Sequence, residues 1–340
     1  TILRQIGSGS FGSVWLAAEK QSGKVVAIKV LPLESKRRAS KGDAWLDELR
    51  REITLLRTAS DPPAIIRFHG SFVTPLLEAA WLVMEACECS ALELMQQLAQ
   101  PLEEDAACAV LGGVLRGLVH LHGKHGIIHR DVKASNVLLH PDADRPSRWL
   151  VKLADFGVSH VLEPGETKAV LKRVNGTVSH MAPELLRRSE VSRASDAYAF
   201  AILLWELATH GARAFEGVAP VNIIVAVAKN DLRPRFPVEA FEPMRRLAQR
   251  CWASDPEARP GFDAVAREVD AWAPLVSDAL VVHNHHNHQA FASSLSSHGH
   301  GHQMRGSSLR DGVGFFGAFS RVLDERTSSK SELYADSWIF

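Results

Sequence analysis

The sequence contains little cysteine, no surplus charge of either sign and no long apolar run. Four cysteines, Cys87, Cys89, Cys108 and Cys251, are too few for a disulfide scaffold in a chain of 340 residues. Cys87 and Cys89 form a CxC pair with no second pair at zinc-finger spacing, which favours reduced thiols. We therefore expect the chain to fold in a reducing, cytoplasmic compartment.

The balance of charge and apolar content excludes further classes. Lys and Arg number 39, as do Asp and Glu, so the overall charge predicts neither a nucleic-acid partner nor an acidic membrane surface. No apolar run reaches the roughly 18 residues that a membrane-spanning helix needs, and we expect no membrane segment. Thr1 opens within a strand-like pattern, so we expect the natural N-terminus, with any signal peptide, to lie upstream of it.

Composition divides the chain near residue 273. Apolar periodicity continues to residue 272, whereas residues 273–340 are rich in His, Ser and Gly and hold seven of the 16 histidines. This tail has too little apolar content to offset the entropy of ordering, so we predict a flexible extension. Its histidine clusters could instead bind Zn²⁺ or Ni²⁺, and residues 314–323 could form a short docking helix.

Two kinds of pattern follow each other within residues 1–272. Residues 1–86 are typical of strands bounded by turn residues, with one intervening helix that has apolar residues at positions 45, 49, 53 and 56. Long helical patterns dominate residues 91–272. We predict an α+β, bilobal fold: a small sheet-rich N-lobe (1–86), a hinge near residues 85–90 and a larger, mainly helical C-lobe (91–272). Clefts between lobes commonly bind ligands.

A glycine-rich stretch at residues 7–14, GSGSFGSV, has the pattern GxGxxGxV. A dinucleotide site needs a helix after the glycines, but the strand-like SVWLAAE follows here. The glycines are therefore predicted at a hairpin tip, where backbone N–H groups can approach phosphate oxygens closely. A plain glycine-rich turn is the alternative.

Lys29 lies within an apolar strand pattern, VVAIKVL, on the same face as Ala27 and Leu31. Burying a lysine there is costly unless an anion meets it; the alternative is an edge lysine whose ammonium reaches water. Glu52 on the following helix is the predicted partner. Glu48, one turn earlier on the same face, is the second candidate.

Two further stretches place polar residues among apolar ones. In LADFGVS a strand ends at Asp155; carboxylates are the usual protein ligands of Mg²⁺, although a strand-ending aspartate often caps a turn instead. In IIHRDVKASNVLL an apolar run is interrupted by His129, Arg130, Asp131, Lys133 and Asn136. Each of these groups needs a hydrogen bond or solvent, so we expect an exposed loop.

In chain order these stretches resemble the protein kinase family. The order is GSGSFGSV, VAIK, a helix with a glutamate, HRDVKASN, DFG, APE and CWASDPEARP, over roughly residues 2–272. Within the family, RFHGSF and DFGVS resemble the MAP-kinase-cascade group, while DAYAFAILLWEL and CWASDPEARP resemble the tyrosine-kinase-like group. His180 departs from the family pattern, since an aromatic residue usually precedes MAPE.

The resemblance implies that ATP and Mg²⁺ are bound and assigns residues to each. The nucleotide would be held by Gly7, Ser8, Gly9, Gly12, Val14, Ala27, Lys29, Met84, Glu85 and Cys87. Glu52 would orient Lys29, Met84 would gate the adenine pocket, and Glu85 and Cys87 would bind adenine through their backbone. Asn136 and Asp155 would be the Mg²⁺ ligands.

The same resemblance implies the reaction. Asp131 would accept the proton of a substrate hydroxyl, and Lys133 would meet the γ-phosphate. Lys133 and Thr177 are typical of serine/threonine kinases, so protein substrates with Ser or Thr acceptors are implied. A pseudokinase that binds ATP as a scaffold is the alternative; its usual signature is loss of Lys29, Asp131 or Asp155, and all three are present.

Arg130 implies regulation, because an arginine beside the catalytic aspartate commonly pairs with a phosphorylated activation segment. In this sequence that segment runs from Asp155 to Glu184. Its possible acceptors include Ser159, Thr167, Thr177 and Ser179. We predict Thr167 as the modified residue and an upstream kinase as the activator. Glu184 with Arg259, and Asp196, resemble structural residues of the larger lobe.

Overall fold

A five-stranded antiparallel sheet forms the N-terminal part of the protein. The computed structural model describes residues 1–9, 12–33, 44–60, 63–74, 79–98, 102–142 and 149–272, and the predicted tail lies outside them. The strands are β1 (Ile2–Gly9), β2 (Gly12–Ala18), β3 (Val25–Pro32), β4 (Phe68–Val73) and β5 (Ala79–Glu85), in the order β1-β2-β3-β5-β4. These strands confirm the strand-like patterns of residues 1–86, which are ILRQIGSG, SVWLAAE, KVVAIKVL, IIRFHGSFV and AAWLVMEA.

One helix, α1 (Ala44–Ala59), accompanies this sheet, as the apolar spacing predicts. Leu49, Ile53 and Leu56 recur at intervals of three to four residues, so they share one face of the helix. All three are almost completely buried. The helix is therefore fixed by its apolar face, which also sets the direction in which Glu52 points.

The rest of the described chain is mainly helical. Its helices are α2 (Ala91–Gln97), α3 (Glu104–Lys124), α4 (Pro183–Arg188), α5 (Arg193–Ala208), α6 (Pro220–Asn230), α7 (Glu242–Cys251) and α8 (Phe262–Asp270). Its strands are β6 (Cys89–Ser90), β7 (Ile127–Ile128), β8 (Val137–Pro141), β9 (Trp149–Leu153), β10 (His160–Val161), β11 (Lys168–Val170) and β12 (Glu190–Ser192). A sheet-rich part followed by a helical part confirms the α+β, bilobal prediction.

Two helices form the centre of the helical part. In α5 every residue from Ser195 to Leu207 is buried, including Tyr198 and Phe200, so this helix is enclosed on all sides. Among the described residues, α3 alone is long and apolar enough to cross a membrane, but more than half of its most apolar stretch is buried inside the protein. Such burial is that of a core helix.

Glycines on α3 allow it to approach β9 closely. A Cβ atom added to Gly113 would overlap the side chain of Val151, and one added to Gly117 would lie 2.8 Å from Cδ1 of Leu153. Cβ atoms do not approach other heavy atoms so closely. The two glycines therefore set how deeply β9, the strand that leads to Asp155, lies against the helix.

Candidate active site

Lys29 meets two carboxylates at the centre of the site. Its Nζ lies 2.9 Å from Oε1 of Glu52 and 2.9 Å from Oδ1 of Asp155. The lysine comes from β3, the glutamate from α1 and the aspartate from the turn after β9, so three separate elements converge on one ammonium group. Glu52, and not an edge exposed to water, is thus the partner of Lys29.

These contacts decide the charge of the groups. Burial alone would lower the pKa of Lys29, but attraction to Glu52 and Asp155 outweighs it and raises that pKa well above its ordinary value. Burial would raise the pKa of Asp155, and the ammonium of Lys29 holds it below its usual value instead. At neutral pH the site therefore contains the charged ammonium of Lys29 beside the ionised carboxylate of Asp155.

Asp131 is held by a second set of contacts. Nζ of Lys133 lies 2.7 Å from its Oδ2, and the backbone N–H of Thr177 donates to its Oδ1 over 3.2 Å. Nδ2 of Asn136 donates to the same side chain over 3.0 Å, and Lys133 also donates to Oγ1 of Thr177 over 2.8 Å. Lys133 outweighs the effect of burial, so the pKa of Asp131 is lowered.

The expectation that this loop is exposed was wrong. His129 is completely buried, and Asp131 and Asn136 are 3% and 8% exposed. The loop can be buried because its polar groups are paired within the protein: Nε2 of His129 donates to the carbonyl oxygen of Ala154 over 3.0 Å, for example. Internal hydrogen bonds replace the solvent that the sequence pattern suggested.

Asp196, at the start of α5, fixes the backbone of the loop. Its carboxylate accepts the N–H groups of His129 and Arg130 over 2.8 Å and 2.7 Å, and it contacts Nε2 of His122 at 2.8 Å. Arg130 and Asp155 both have the left-handed backbone conformation, with φ of 70° and 66°. L-residues adopt it at a cost, so the surrounding contacts hold both in place.

Arg130 lies among other basic groups and contacts the segment predicted to be the activation segment. Its guanidinium donates to the carbonyl oxygens of Val158 and Asn175. The pKa of His160 is lowered mainly by burial, and the positive charges of Arg130 and Arg51 lower it further. Arg130 from the loop and Arg51 from α1 thus act electrostatically on His160 of β10. Thr167 is exposed and lies just before β11.

The glycine hairpin and the strand edge beside it have the predicted form. Gly9 pairs with Gly12 at the β1–β2 turn, and a Cβ on Gly12 (φ 134°) would overlap the carbonyl oxygen of Val30. Gly7 and Ser8 pair with Val14 and Ser13. Ala27 pairs with Met84 across β3 and β5, next to Glu85 and Cys87. Burial raises the pKa of the Cys87 thiol to about 12.

Sequence reasoning missed two contacts near the site. Lys152, on β9, lies 2.7 Å from Oε1 of Glu85. Its position inside the apolar WLVKL was a usable signal, of the kind that identified Lys29. The second contact joins Nε2 of His180 to Oε1 of Glu206 over 3.2 Å; nothing in the sequence pointed to Glu206.

The residues present suit a magnesium ion carried by a nucleotide. Among the described residues, no three His, Cys, Asp or Glu side chains form a metal cluster. Mg²⁺ needs no such cluster, because one or two carboxylates with phosphate and water complete its shell. Within the described part of the chain, Lys29 and Gly157 both contact Oδ1 of Asp155, which leaves Oδ2 for a cation, and Nδ2 of Asn136 faces Asp131, which leaves Oδ1 of Asn136.

Comparison with known proteins identifies the class. A family model described as the protein kinase domain matches residues 1–269, and the chain belongs to that family. The bidentate pair of Glu184 and Arg259, with 2.8 Å contacts, fits this assignment.

Its relatives have serine/threonine-protein kinase names. A probable serine/threonine-protein kinase of Dictyostelium discoideum is 30% identical over 77% of this chain and 19% of its own length. TAO3 of Pongo abelii is 34% identical over 76% of this chain and 27% of its own length. The serine/threonine-protein kinase hippo of Drosophila melanogaster is 32% identical over 76% of this chain and 36% of its own length. The chain thus spans about a fifth to a third of these relatives.

Proposed function

We propose that this chain is an ATP-dependent protein serine/threonine kinase that transfers the γ-phosphate of Mg-ATP to Ser or Thr hydroxyls of signalling proteins in the cytoplasm. The kinase domain would comprise residues 1–272, with the lobes and hinge given above. The carrying observation is convergence: the loop of Asp131 is hydrogen-bonded to the residue before Asp155, through the N–H of Ala154 to the carbonyl oxygen of Asn136 and Nε2 of His129 to the carbonyl oxygen of Ala154, both over 3.0 Å.

In this proposal each group has one task. Asp131, ionised and aimed by Lys133 and Thr177, accepts the proton of the substrate hydroxyl as its oxygen attacks the γ-phosphorus. The bond from that phosphorus to the β–γ bridging oxygen breaks, and ADP leaves with the electron pair. Lys29 holds the α- and β-phosphates, and Lys133 offsets charge on the transferred group. Mg²⁺, when bound, neutralises charge on the phosphate oxygens.

The alternative function is an ATP-binding scaffold. A scaffold does not require an ionised Asp131 held by a lysine, an amide and a backbone N–H together. Catalysis does require such preorganisation, because its acceleration comes mainly from fixed geometry and charge. The paired state of Asp131 therefore favours the enzyme.

Transfer of label from [γ-³²P]ATP to a peptide array and to a generic basic protein tests the proposal. We expect the purified chain to label Ser or Thr peptides, and Asp131→Asn to lower the rate by at least about 10²-fold while the variant keeps a folded far-UV circular dichroism spectrum at the assay temperature. Asp263→Asn, at an exposed position on α8, is the matched control. Nucleotide binding without transfer by the unaltered chain would establish the scaffold instead.

A further inference from the structure

Two side chains of the paired strands β8 and β9 contact the predicted hinge. The partner of His140 in this pairing is Leu150, two residues from Lys152, so His140 and Lys152 lie on one face as diagonal neighbours. Lys152 contacts the carboxylate of Glu85. Nδ1 of His140 lies 3.1 Å from the carbonyl oxygen of Ala86, the next residue of the chain. Two successive hinge residues are thus held by one face of the β8–β9 pair.

The imidazole of His140 is the donor in its contact with Ala86. A carbonyl oxygen can only accept a hydrogen bond, so Nδ1 of His140 carries the proton. The strand that carries this half-buried histidine is itself bonded to the end of the hinge. The N–H of Glu88 donates to the carbonyl oxygen of Leu139 over 2.9 Å, and Cys89 pairs with Leu139. The donor therefore stands at a defined position relative to the hinge backbone.

The carbonyl of Ala86 and the N–H of Cys87 belong to one peptide group. This group is planar and trans, so its C=O and its N–H point in opposite directions. Because His140 holds the carbonyl, the N–H of Cys87 points away from the imidazole. That N–H is one of the backbone groups that would bind adenine. A hydrogen bond at the carbonyl also polarises the peptide group, which strengthens its N–H as a donor.

We propose that His140 is a positioning residue for the nucleotide base, which fixes the peptide group between Ala86 and Cys87 so that its N–H, and not its carbonyl, faces the base. The inference rests on the proposed function, because the nucleotide site is part of that proposal. N1 of adenine accepts a hydrogen bond, whereas N1 of guanine carries a proton. A fixed N–H therefore binds ATP and opposes the donor of GTP, so His140 sets the preference for ATP over GTP.

Steady-state kinetics with ATP and with GTP, and with a peptide chosen from the array, test this inference. His140→Phe keeps a planar ring without a donor, and His140→Asn keeps a donor near the position of Nδ1. For His140→Phe we expect the KM for ATP to rise about fivefold, the effect of one lost hydrogen bond. The KM for GTP, the peptide KM and kcat should stay within about twofold. The preference for ATP in kcat/KM should therefore fall in His140→Phe and persist in His140→Asn.

A matched control distinguishes positioning from general damage. Nε2 of His210 also contacts a backbone carbonyl oxygen, that of Leu98, at 3.1 Å and outside the predicted hinge. His210→Phe removes the same kind of hydrogen bond, so any loss of melting temperature in this variant should leave the preference for ATP over GTP unchanged. Titration calorimetry with Mg-ADP and Mg-GDP makes the same comparison without phosphate transfer.

The outcomes separate the inference from the proposed function. An unchanged preference for ATP in His140→Phe would overturn the inference, as would an equal loss of preference in His140→Asn or His210→Phe. An unaltered chain that binds ADP but transfers no phosphate would overturn the proposed function. The role of His140 would then still be established if ADP were preferred over GDP and His140→Phe reduced that preference. A chain that binds neither nucleotide would overturn both.

Discussion

The ammonium group of Lys152 lies 2.7 Å from Oε1 of Glu85, and both side chains are largely buried. Lys152 comes from β9, three residues before Asp155, and Glu85 ends β5, where the adenine is proposed to bind. Nζ of Lys152 also donates to the carbonyl oxygen of Pro63 over 3.0 Å, and Oε1 of Glu85 accepts the N–H of Arg67. This pair therefore joins the strand before Asp155 to the proposed hinge.

Lys152→Met should raise the KM for ATP about fivefold and leave the peptide KM unchanged. The substitution leaves Glu85 buried without its cation, which costs about 3 kcal/mol of unfolding free energy and lets the hinge backbone move. ATP titrations and urea unfolding measure both effects. Lys168→Met, which removes an exposed partner of Glu190, is the control, and equal behaviour of the two variants would contradict a role for this pair.

Lys29→Met should reduce phosphate transfer by at least about 10²-fold, because the ammonium that is proposed to hold the phosphates is lost. Glu52→Gln should cost less, about tenfold, since Asp155 still contacts the lysine. Rates with saturating peptide and varied ATP measure both. Lys24→Met, in the exposed turn before β3, should retain full activity; a loss of the same size there would show that charge alone matters.

Asp196→Asn should lower the unfolding free energy by about 3 kcal/mol at pH 7, because a buried carboxylate that accepts several hydrogen bonds is replaced. Burial opposes ionisation, but the bond and charge of His122 prevail and lower the pKa of Asp196. A carboxyl group whose pKa is lower in the folded than in the unfolded protein stabilises the fold at pH values above its unfolded-state pKa. This stabilisation is lost as the pH falls towards the folded-state pKa. Urea unfolding should therefore show the difference narrowing progressively below about pH 4.

The control for that experiment is Asp263→Asn. Asp263 is exposed, so its replacement should change stability little at any pH. A constant difference between Asp196→Asn and the unaltered chain from pH 7 to pH 3 would mean that the charge of Asp196 does not contribute.

Gly113→Ala should destabilise the protein by about 2 kcal/mol and reduce transfer, because its Cβ would push Val151 and β9 away from α3. Gly123→Ala, on the same helix with no heavy atom within 4 Å of the added Cβ, should be neutral or stabilising. Adding Val151→Ala to Gly113→Ala should restore part of both losses. Melting temperatures and rates measure this set, and failure of the rescue would exclude the steric explanation.

Thr167→Ala should abolish activation by an upstream kinase, since Thr167 is the exposed hydroxyl proposed to be modified. A phosphate there would compensate the positive charge that Arg130 and Arg51 place near His160. Thr177 is a poorer acceptor, because its hydroxyl already receives the hydrogen bond of Lys133. Rates before and after treatment with a candidate activating kinase give the answer, and equal activation of Thr167→Ala would disprove the site.

The sequence predicts the elements of this protein better than its contacts. The spacing of apolar residues along the chain predicts the five strands and α1. The order of the motifs predicts that Lys29, Glu52 and Asp155 meet. Glu52 was the predicted partner, and the structure places it against Lys29; Glu48 stayed a second candidate in the sequence because both positions share one helix face. The burial of the Asp131 loop was unpredictable, since a polar run has the same composition whether its partners are water or protein.

Contacts across long sequence separations explain the other omissions. His180 and Glu206 lie in separate elements, and the local sequence pattern of neither element indicates the other. Only the packing of the 3₁₀ turn on α5 brings the two side chains together. Neither the helical pattern around Gly113 nor the strand pattern around Val151 indicates that these two residues lie close together. Local propensity identifies where a helix or strand forms, whereas the identity of its neighbour depends on the whole chain.

The left-handed backbone of Arg130 and Asp155 carries conformational strain that the contacts of their side chains have to offset. Both residues occupy a conformation that glycine adopts freely, at a cost of roughly 1 kcal/mol or more each. Glycine at either position would relieve the strain and delete a side chain on which the proposed reaction or its control depends. Directed evolution for thermal endurance would therefore gain nothing from glycine at either position, because the lost contacts, among them the ion pair of Asp155 with Lys29, outweigh the strain that is relieved.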